Sequence, residues 1–439
     1  MSAGGQESAA GRYLAALAAE PIPRTAKGFL RCGPTTARAL AGAGQTVGQA
    51  GLVLPLAVLR MSALDHNIDL MRRWACERGA RLAPHVKTTM APQIMARQLA
   101  AGAWALTVAN CTQAQVCVDL GAPVVLIANE VADAADIAWL AAQLSEPAGP
   151  RLICYVDSQA GVSLLADGLR EHQAGRPLDV LVELGAADRR AGCRTIGQVM
   201  AVAGRASAAG LRVCGAGGFE GVITTSRAAA DLARVDAFCD LLHDAADALA
   251  GEGLAGTRSE PVILTAAGSI YFDRVAARLG RPFRDGRLPL VVLRSGGYVS
   301  HDHGHLRERS PLVGQGEQFL PALQVRAAVL SIPQHDLAIV GAGRRDVGTD
   351  AGLPAVTGRL SRTAESGWQQ PRDLYLAGIY DQHACLRRRG GGDLRGELAV
   401  ADTVSLGISH PCTTFDRWRH LIAVDDQDRI VDVVRTFFW

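Results

Sequence analysis

Short runs of Val, Ile and Leu recur along the first two thirds of the chain, separated by longer segments with helical spacing of apolar residues. The runs predict strands near residues 81–86, 105–109, 124–128 and 152–156. Others fall near 180–183, 211–215, 261–264 and 289–293. Segments 92–102, 131–144 and 226–249 lie between them and are long enough for crossover helices. Strands and helices alternating in this way predict a closed parallel (β/α)8 barrel. A further apolar run at 55–60 precedes the set and belongs elsewhere.

From about residue 305 the helical period fades. Strand-like runs at 322–330, 337–341, 373–379 and 430–437 are separated by Gly, Pro and Asp turns. This texture predicts a compact, mostly antiparallel β domain, which the run at 55–60 or the N-terminal arm can join. The 439 residues then divide into an arm and lead-in (1–54), a barrel (55–304) and a β domain (305–439).

Composition narrows the function. Lys+Arg (45) nearly balance Asp+Glu (43) and no sustained basic stripe appears, which argues against nucleic acid as the main partner. Arg387-Arg388-Arg389, followed by three glycines, reads as a solvated loop. No uncharged apolar stretch is long enough to span a bilayer, and residues 1–20 lack a secretory pattern. Ten cysteines scattered from Cys32 to Cys412 form no paired framework, so free thiols in a reducing cytoplasm are expected.

Candidate chemistry starts at Lys87. The segment Pro84-His85-Val86-Lys87-Thr88-Thr89 ends the first barrel strand, on the rim where barrel active sites are built. A lysine partly desolvated there is a competent Schiff-base amine and general base, although a surface lysine near a helix start would look the same. Two glycine loops, Thr265-Ala266-Ala267-Gly268-Ser269 and Arg294-Ser295-Gly296-Gly297-Tyr298, follow the seventh and eighth strands. Loops at those places commonly hold a phosphate through backbone N–H groups.

His410 and Cys412 are two residues apart, and on a strand they would face the same way. Imidazole and thiolate are good zinc ligands, but two ligands leave positions open, as catalysis requires. A buried cysteine beside a hydrogen-bonded histidine is the plainer reading. In Ser300-His301-Asp302-His303-Gly304-His305, the residues His301 or Asp302 are expected at a pocket mouth. Three histidines there could also bind metal. His383 either points into the site or makes a structural hydrogen bond.

Taken together, several motifs resemble the D-threonine aldolase/D-serine dehydratase branch of the alanine racemase-fold pyridoxal phosphate enzymes. They are the run from Leu54 to Arg60, His85-Val86-Lys87-Thr88, Asp381-Gln382-His383-Ala384, His410-Pro411-Cys412 and Asp416-Arg417-Trp418-Arg419. The resemblance, nearest to bacterial amino acid deaminases of that branch, runs from about residue 52 to the C-terminus. It implies an alanine racemase-like barrel followed by a β domain, with pyridoxal 5′-phosphate carried on Lys87. It also implies Gly268, Ser269, Gly296, Gly297 and Tyr298 around the cofactor, and Arg190 near its phenolic oxygen.

One departure is Phe219-Glu220-Gly221, where the family commonly has Tyr-Glu-Gly. Arg294 is then an alternative partner for the ring nitrogen. His-x-Cys resembles the dehydratase side of the branch, and the thiolate favours zinc. The implied reaction converts a D-β-hydroxy amino acid, such as D-serine, to a 2-oxo acid and ammonia. The alternatives are retro-aldol cleavage to glycine and an aldehyde, and a non-catalytic carrier of the cofactor. A homodimer is implied too, with the β domain of one subunit closing the other's site.

Overall fold

A computed structural model of the chain describes residues 8–31, 33–257, 259–362, 367–371 and 373–438. It begins with a helix, Ala9–Ala19, and an antiparallel pair, β1 (Pro21–Ile22) and β2 (Thr35–Thr36). After β3 (Leu56–Arg60) come the barrel strands β4 (Arg81–Leu82), β5 (Leu106–Val108), β6 (Val124–Glu130) and β7 (Arg151–Val156). The set continues with β8 (Asp179–Leu184), β9 (Arg212–Gly218), β10 (Ile263–Ala266) and β11 (Leu290–Leu293).

Neighbours pair in parallel from β5 round to β11, and β11 pairs with β4. The ring closes where the Trp104 amide donates to the Leu82 carbonyl at 2.7 Å and Thr107 donates to the Pro84 carbonyl at 2.9 Å. The predicted strand at 81–86 is therefore cut short: ladder geometry ends at Leu82, and Val86–Thr88 turns into one 3₁₀ turn. That turn carries Lys87.

The barrel interior is filled by Ala83, Ala105, Leu126, Ile153, Leu181 and Val292, with two alanines next to the first two barrel strands and branched residues on the others named. Outward-facing apolar residues pack against the surrounding helices. Several helices begin where a polar side chain covers an unpaired amide: Asn110 caps Gln113, Asp133 caps Ala135, Ser158 caps Gly161 and Thr195 caps Gln198. Each such cap contributes about 1 kcal/mol and sets where the chain leaves the preceding loop.

The remaining strands are β12 (Leu323–Gln334), β13 (Leu337–Val340), β14 (Ala355–Leu360) and β15 (Leu374–Ile379). They are followed by β16 (Ala384–Arg388), β17 (Thr403–Gly407), β18 (His420–Val424) and β19 (Ile430–Arg435). Their sheet runs β15-β16-β13-β12-β3-β18-β19, and β17 also pairs with β12 and β14. β3 sits inside it, antiparallel to β12 and parallel to β18. A strand with neighbours on both edges and buried residues on both faces reads as an unbroken apolar run, as 56–59 does.

Two expectations need correction. Arg387 and Arg388 are not in a loop but in β16, where they pair with Asp336 and Glu397. Buried Ala384 and Leu386 alternate with them, a period-two signal hidden by the arginines. The strands β14, β16, β17 and β18 were also not anticipated: each has only five or six residues, and polar residues interrupt β14, β16 and β17. Nine cysteines are free thiols; Cys32 lies outside the described residues. Among the described residues, no helix is long and apolar enough to cross a membrane.

Candidate active site

The C-terminal ends of the barrel strands and one edge of the β domain enclose a cavity of about 460 Å³. Lys87, Arg190, His410 and Cys412 border it, as do Gly268, Ser269, Gly296 and Gly297. These eight come from segments far apart in sequence. The structure brings them together.

Lys87 reaches the cavity from the 3₁₀ turn, accessible through the opening yet largely enclosed by protein. Loss of solvation lowers its amine below the usual lysine range. The charges of Arg190 and Arg294 add to this, while the Cys412 sulfur opposes it. His85, two residues earlier, also borders the cavity, and burial holds its ring neutral. Its Nδ1 and the hydroxyl of Tyr155, another wall residue, are buried without hydrogen-bond partners. Buried polar atoms left unpaired at a cavity wall suit a polar occupant.

The glycine loops are held by a residue the sequence reading did not single out. Glu220, fully buried, accepts the Ala267 amide at 2.9 Å and the Gly268 amide at 2.6 Å. The Gly268 N–H is therefore taken up by Glu220 and is not free to hold a phosphate. An acidic residue inside the apolar Gly-Phe-Glu-Gly stretch was the available signal. Ser295 ties the second loop to the first, donating to the Gly268 carbonyl at 3.0 Å. At Gly296 a Cβ would stand 2.3 Å from the His85 carbonyl oxygen, so the loop after β11 can lie against the Lys87 turn only as glycine. The glycine-lined wall and the lysine that shares its cavity fit a phosphate-bearing aldehyde cofactor.

Tyr298 is placed elsewhere. Its side chain is buried against Phe319, and its hydroxyl accepts from Gln98 Nε2 at 3.1 Å, away from the cavity. Ladder geometry ends at Leu293, and the 3₁₀ turn Gly297–Val299 swings the ring into the core. The Arg190 guanidinium lies 5.9 Å from the centre of the Phe219 ring, and both border the cavity. Arg294 borders it as well, held by Thr265 Oγ1 at 3.0 Å and by the Gly218 carbonyl.

His410 and Cys412 are not on a strand. β17 ends at Gly407, and Cys412 opens a one-turn helix, Cys412–Phe415, so the two side chains converge through a turn. Burial pushes the Cys412 thiol up, but His410, Thr88 and Lys87 outweigh it and bring it below the usual thiol range. His410, chiefly through its bond to Cys412, is raised to about 9. A thiolate beside an imidazole is a soft donor pair suited to zinc. Among the described residues no three of His, Cys, Asp and Glu gather as a metal site, so any further ligands would come from water or substrate.

The histidine-rich segment does not line this cavity as expected at His301 and Asp302. Asp302 accepts the amides of Gly304 and Leu306, both at 2.9 Å, and so shapes the start of the helix His305–Arg309. His301 and His303 border a different cavity, while His305 reaches the main one. His383 is exposed at the turn between β15 and β16.

Comparison with known proteins follows the same outline. Residues 59–258 match the family model "Alanine racemase, N-terminal domain", and residues 322–424 match "Putative serine dehydratase domain". The D-threonine aldolase of an Arthrobacter species is 27% identical over 384 residues, covering 85% of this chain and 89% of that one. The D-threo-3-hydroxyaspartate dehydratase of Delftia sp. strain HT23 is 29% identical over 382 residues, covering 82% and 91%. The crystal structure of a D-threonine aldolase from Filomicrobium marinum superimposes with a TM-score of 0.71 at 24% identity, covering 88% and 95%.

A parallel barrel with its lysine after the first strand, joined to a β domain, defines an alanine racemase-fold enzyme. Within that class the chain is similar to the D-threonine aldolase/D-serine dehydratase-like branch, through the serine dehydratase model at residues 322–424 and the two relatives at 27% and 29% identity.

Proposed function

We propose that the protein is a pyridoxal phosphate-dependent, zinc-assisted dehydratase converting a D-β-hydroxy amino acid of the D-serine type to a 2-oxo acid and ammonia. The observation that carries this reading is the shared cavity, with Lys87 on one wall and the His410–Cys412 pair beside it. Further support comes from variants of the Delftia dehydratase. Its solved forms include one with a histidine and one with the cysteine two positions later changed to alanine, the latter described as metal-free. That spacing matches His410 and Cys412.

Lys87 would hold the cofactor, with the glycine loops and the Ser269 hydroxyl receiving its phosphate, and Arg190 standing near its phenolic oxygen. His410 and Cys412 would hold zinc. When bound, pyridoxal phosphate supplies an electron sink for the substrate's Cα, and zinc supplies a Lewis acid for the leaving hydroxyl. Lys87, with its charge disfavoured by desolvation, takes the Cα proton from the wall it occupies. A base confined to one wall selects one configuration at Cα, here D. Enclosure by both domains keeps bulk water from the reacting atoms.

The test is Lys87→Ala, read by cofactor absorbance and by ammonia release from D-serine. Loss of both is expected, and retention of both rejects the assignment. Chelation should abolish ammonia release while the cofactor stays bound; undiminished turnover after complete demetallation rejects the metal's role. The similarity to D-threonine aldolase favours retro-aldol cleavage as the second reading. Glycine and an aldehyde as products would decide for it. A cytoplasmic homodimer, with exposed Tyr380 and the turn 381–383 presented to a second copy, completes the proposal.

A further inference from the structure

The segment 348–352 lies against the segment that carries the His410–Cys412 pair, and four hydrogen bonds join them. Gly348 N donates to Thr414 Oγ1 at 3.0 Å, and Ser409 Oγ donates to the Gly352 carbonyl at 2.5 Å. Between these, Asp350 uses both carboxylate oxygens: Oδ1 accepts from Thr413 Oγ1 and Oδ2 from His410 Nδ1, each at 2.6 Å. At Gly348 a Cβ would fall 2.1 Å from Thr413 Oγ1, so the approach depends on glycine there.

The pattern is directional. Asp350 meets residues on both sides of Cys412 and engages one named nitrogen of the imidazole. With Nδ1–H given to the carboxylate, Nε2 is the nitrogen left to bind a metal. The Asp350 side chain is about half exposed (50%) and that of His410 less so (32%), so the pair is screened and its worth to folding small. A contact that stabilises little yet fixes a ring and its protonated nitrogen has a positional use.

We infer that Asp350 is a positioning residue for the metal site, holding His410 with Nδ1–H outward and Nε2 toward the cavity. This rests on the proposed zinc site at His410 and Cys412. Asp350 is not a third ligand: it takes the histidine from the side opposite the coordinating nitrogen. Thr413 steadies the carboxylate and so acts one step further out.

The test compares zinc affinity, by competition with a chromogenic chelator, in the parent, Asp350→Ala, Asp350→Asn and Thr413→Val. Zinc binding is expected to weaken about 10–100-fold in Asp350→Ala and less in the other two, with cofactor absorbance and thermal midpoint unchanged. Affinity in Asp350→Ala within twofold of the parent overturns the inference. A second readout needs no metal: the His410 Hδ1 proton, followed by NMR, should be protected from exchange in the parent and lose protection in Asp350→Ala. If the parent binds no zinc, the metal reading fails, and this proton alone decides: protection lost with Asp350 upholds the positioning role, and equal exchange overturns it.

Discussion

The Thr88 hydroxyl and the Cys412 thiol lie 3.4 Å apart, joining the residue after Lys87 to a donor of the proposed metal pair across 324 positions of sequence. Thr88 is almost fully buried (2% exposed), so the contact is made out of water. It links the part of the barrel that carries the amine to the part of the β domain that carries the thiol. Thr88→Val keeps the shape and removes the hydroxyl. With about 1 kcal/mol for such a hydrogen bond, turnover should fall about fivefold while folding is little changed. Steady-state kinetics and a thermal melt check this, and unchanged turnover would show that the contact has no part in aligning the two groups.

Glu220 holds two amides of the loop after β10. Glu220→Ala leaves both buried donors unpaired, at a cost of about 2–4 kcal/mol, and loosens the loop that would receive the phosphate. Glu220→Gln retains an acceptor and should be milder. Denaturant unfolding gives the stability change, and titration with pyridoxal phosphate gives the loss of affinity. A fully stable Glu220→Ala protein would contradict this account of the loop.

Gly296 leaves room for the Lys87 turn. Gly296→Ala must displace the His85 carbonyl or the Thr88 hydroxyl, which an added Cβ would approach to 2.3 and 2.8 Å. The backbone can yield less than a side chain can, so a loss of about 2 kcal/mol or more is expected, together with weaker cofactor binding. Near-parental stability and binding would mean that the two loops are free to separate.

Glu183, on the cavity wall, gives a pH signature. Burial first, and the neighbouring Glu130 carboxyl second, push it up to about 8 from an ordinary 4.5. Between those values the folded protein keeps a proton that the unfolded chain releases. The group's contribution is therefore fully present at the acid end and is lost as pH rises toward 8. Glu183→Gln should flatten this slope in denaturation series run at about pH 5, 6.5 and 8. Parallel slopes in parent and variant would refute the shift.

The barrel was readable in the sequence because most of its strands are dense runs of branched residues, β9 with its glycines excepted, and the helices between them have a separate period. Lys87 was readable from its place after the first run, and the glycine loops from theirs after the last two. Less was legible where backbone turns decide direction. Tyr298 follows a glycine pair as a cofactor contact might, yet the turn at 297–299 swings it inward. His410 and Cys412 have strand spacing, but a turn brings them together. Glu220 and Asp350 were missed because their partners, at 267–268 and at 410 and 413, are remote in sequence. Spacing along one segment says nothing of such pairings.

β3 has a consequence for how the molecule is made. Its five residues leave the ribosome before any barrel strand, yet their two sheet neighbours, β12 and β18, emerge only after the whole barrel. Throughout synthesis of the barrel, both hydrogen-bonding edges of this apolar strand wait for partners more than 260 residues downstream. Contacts of such long range close slowly and expose sticky edges meanwhile. The segment bearing His410 and Cys412 arrives between those two partners. A chain cut short before residue 420 would carry Lys87, His410 and Cys412 but lack β18, one of the two strands that pair with β3.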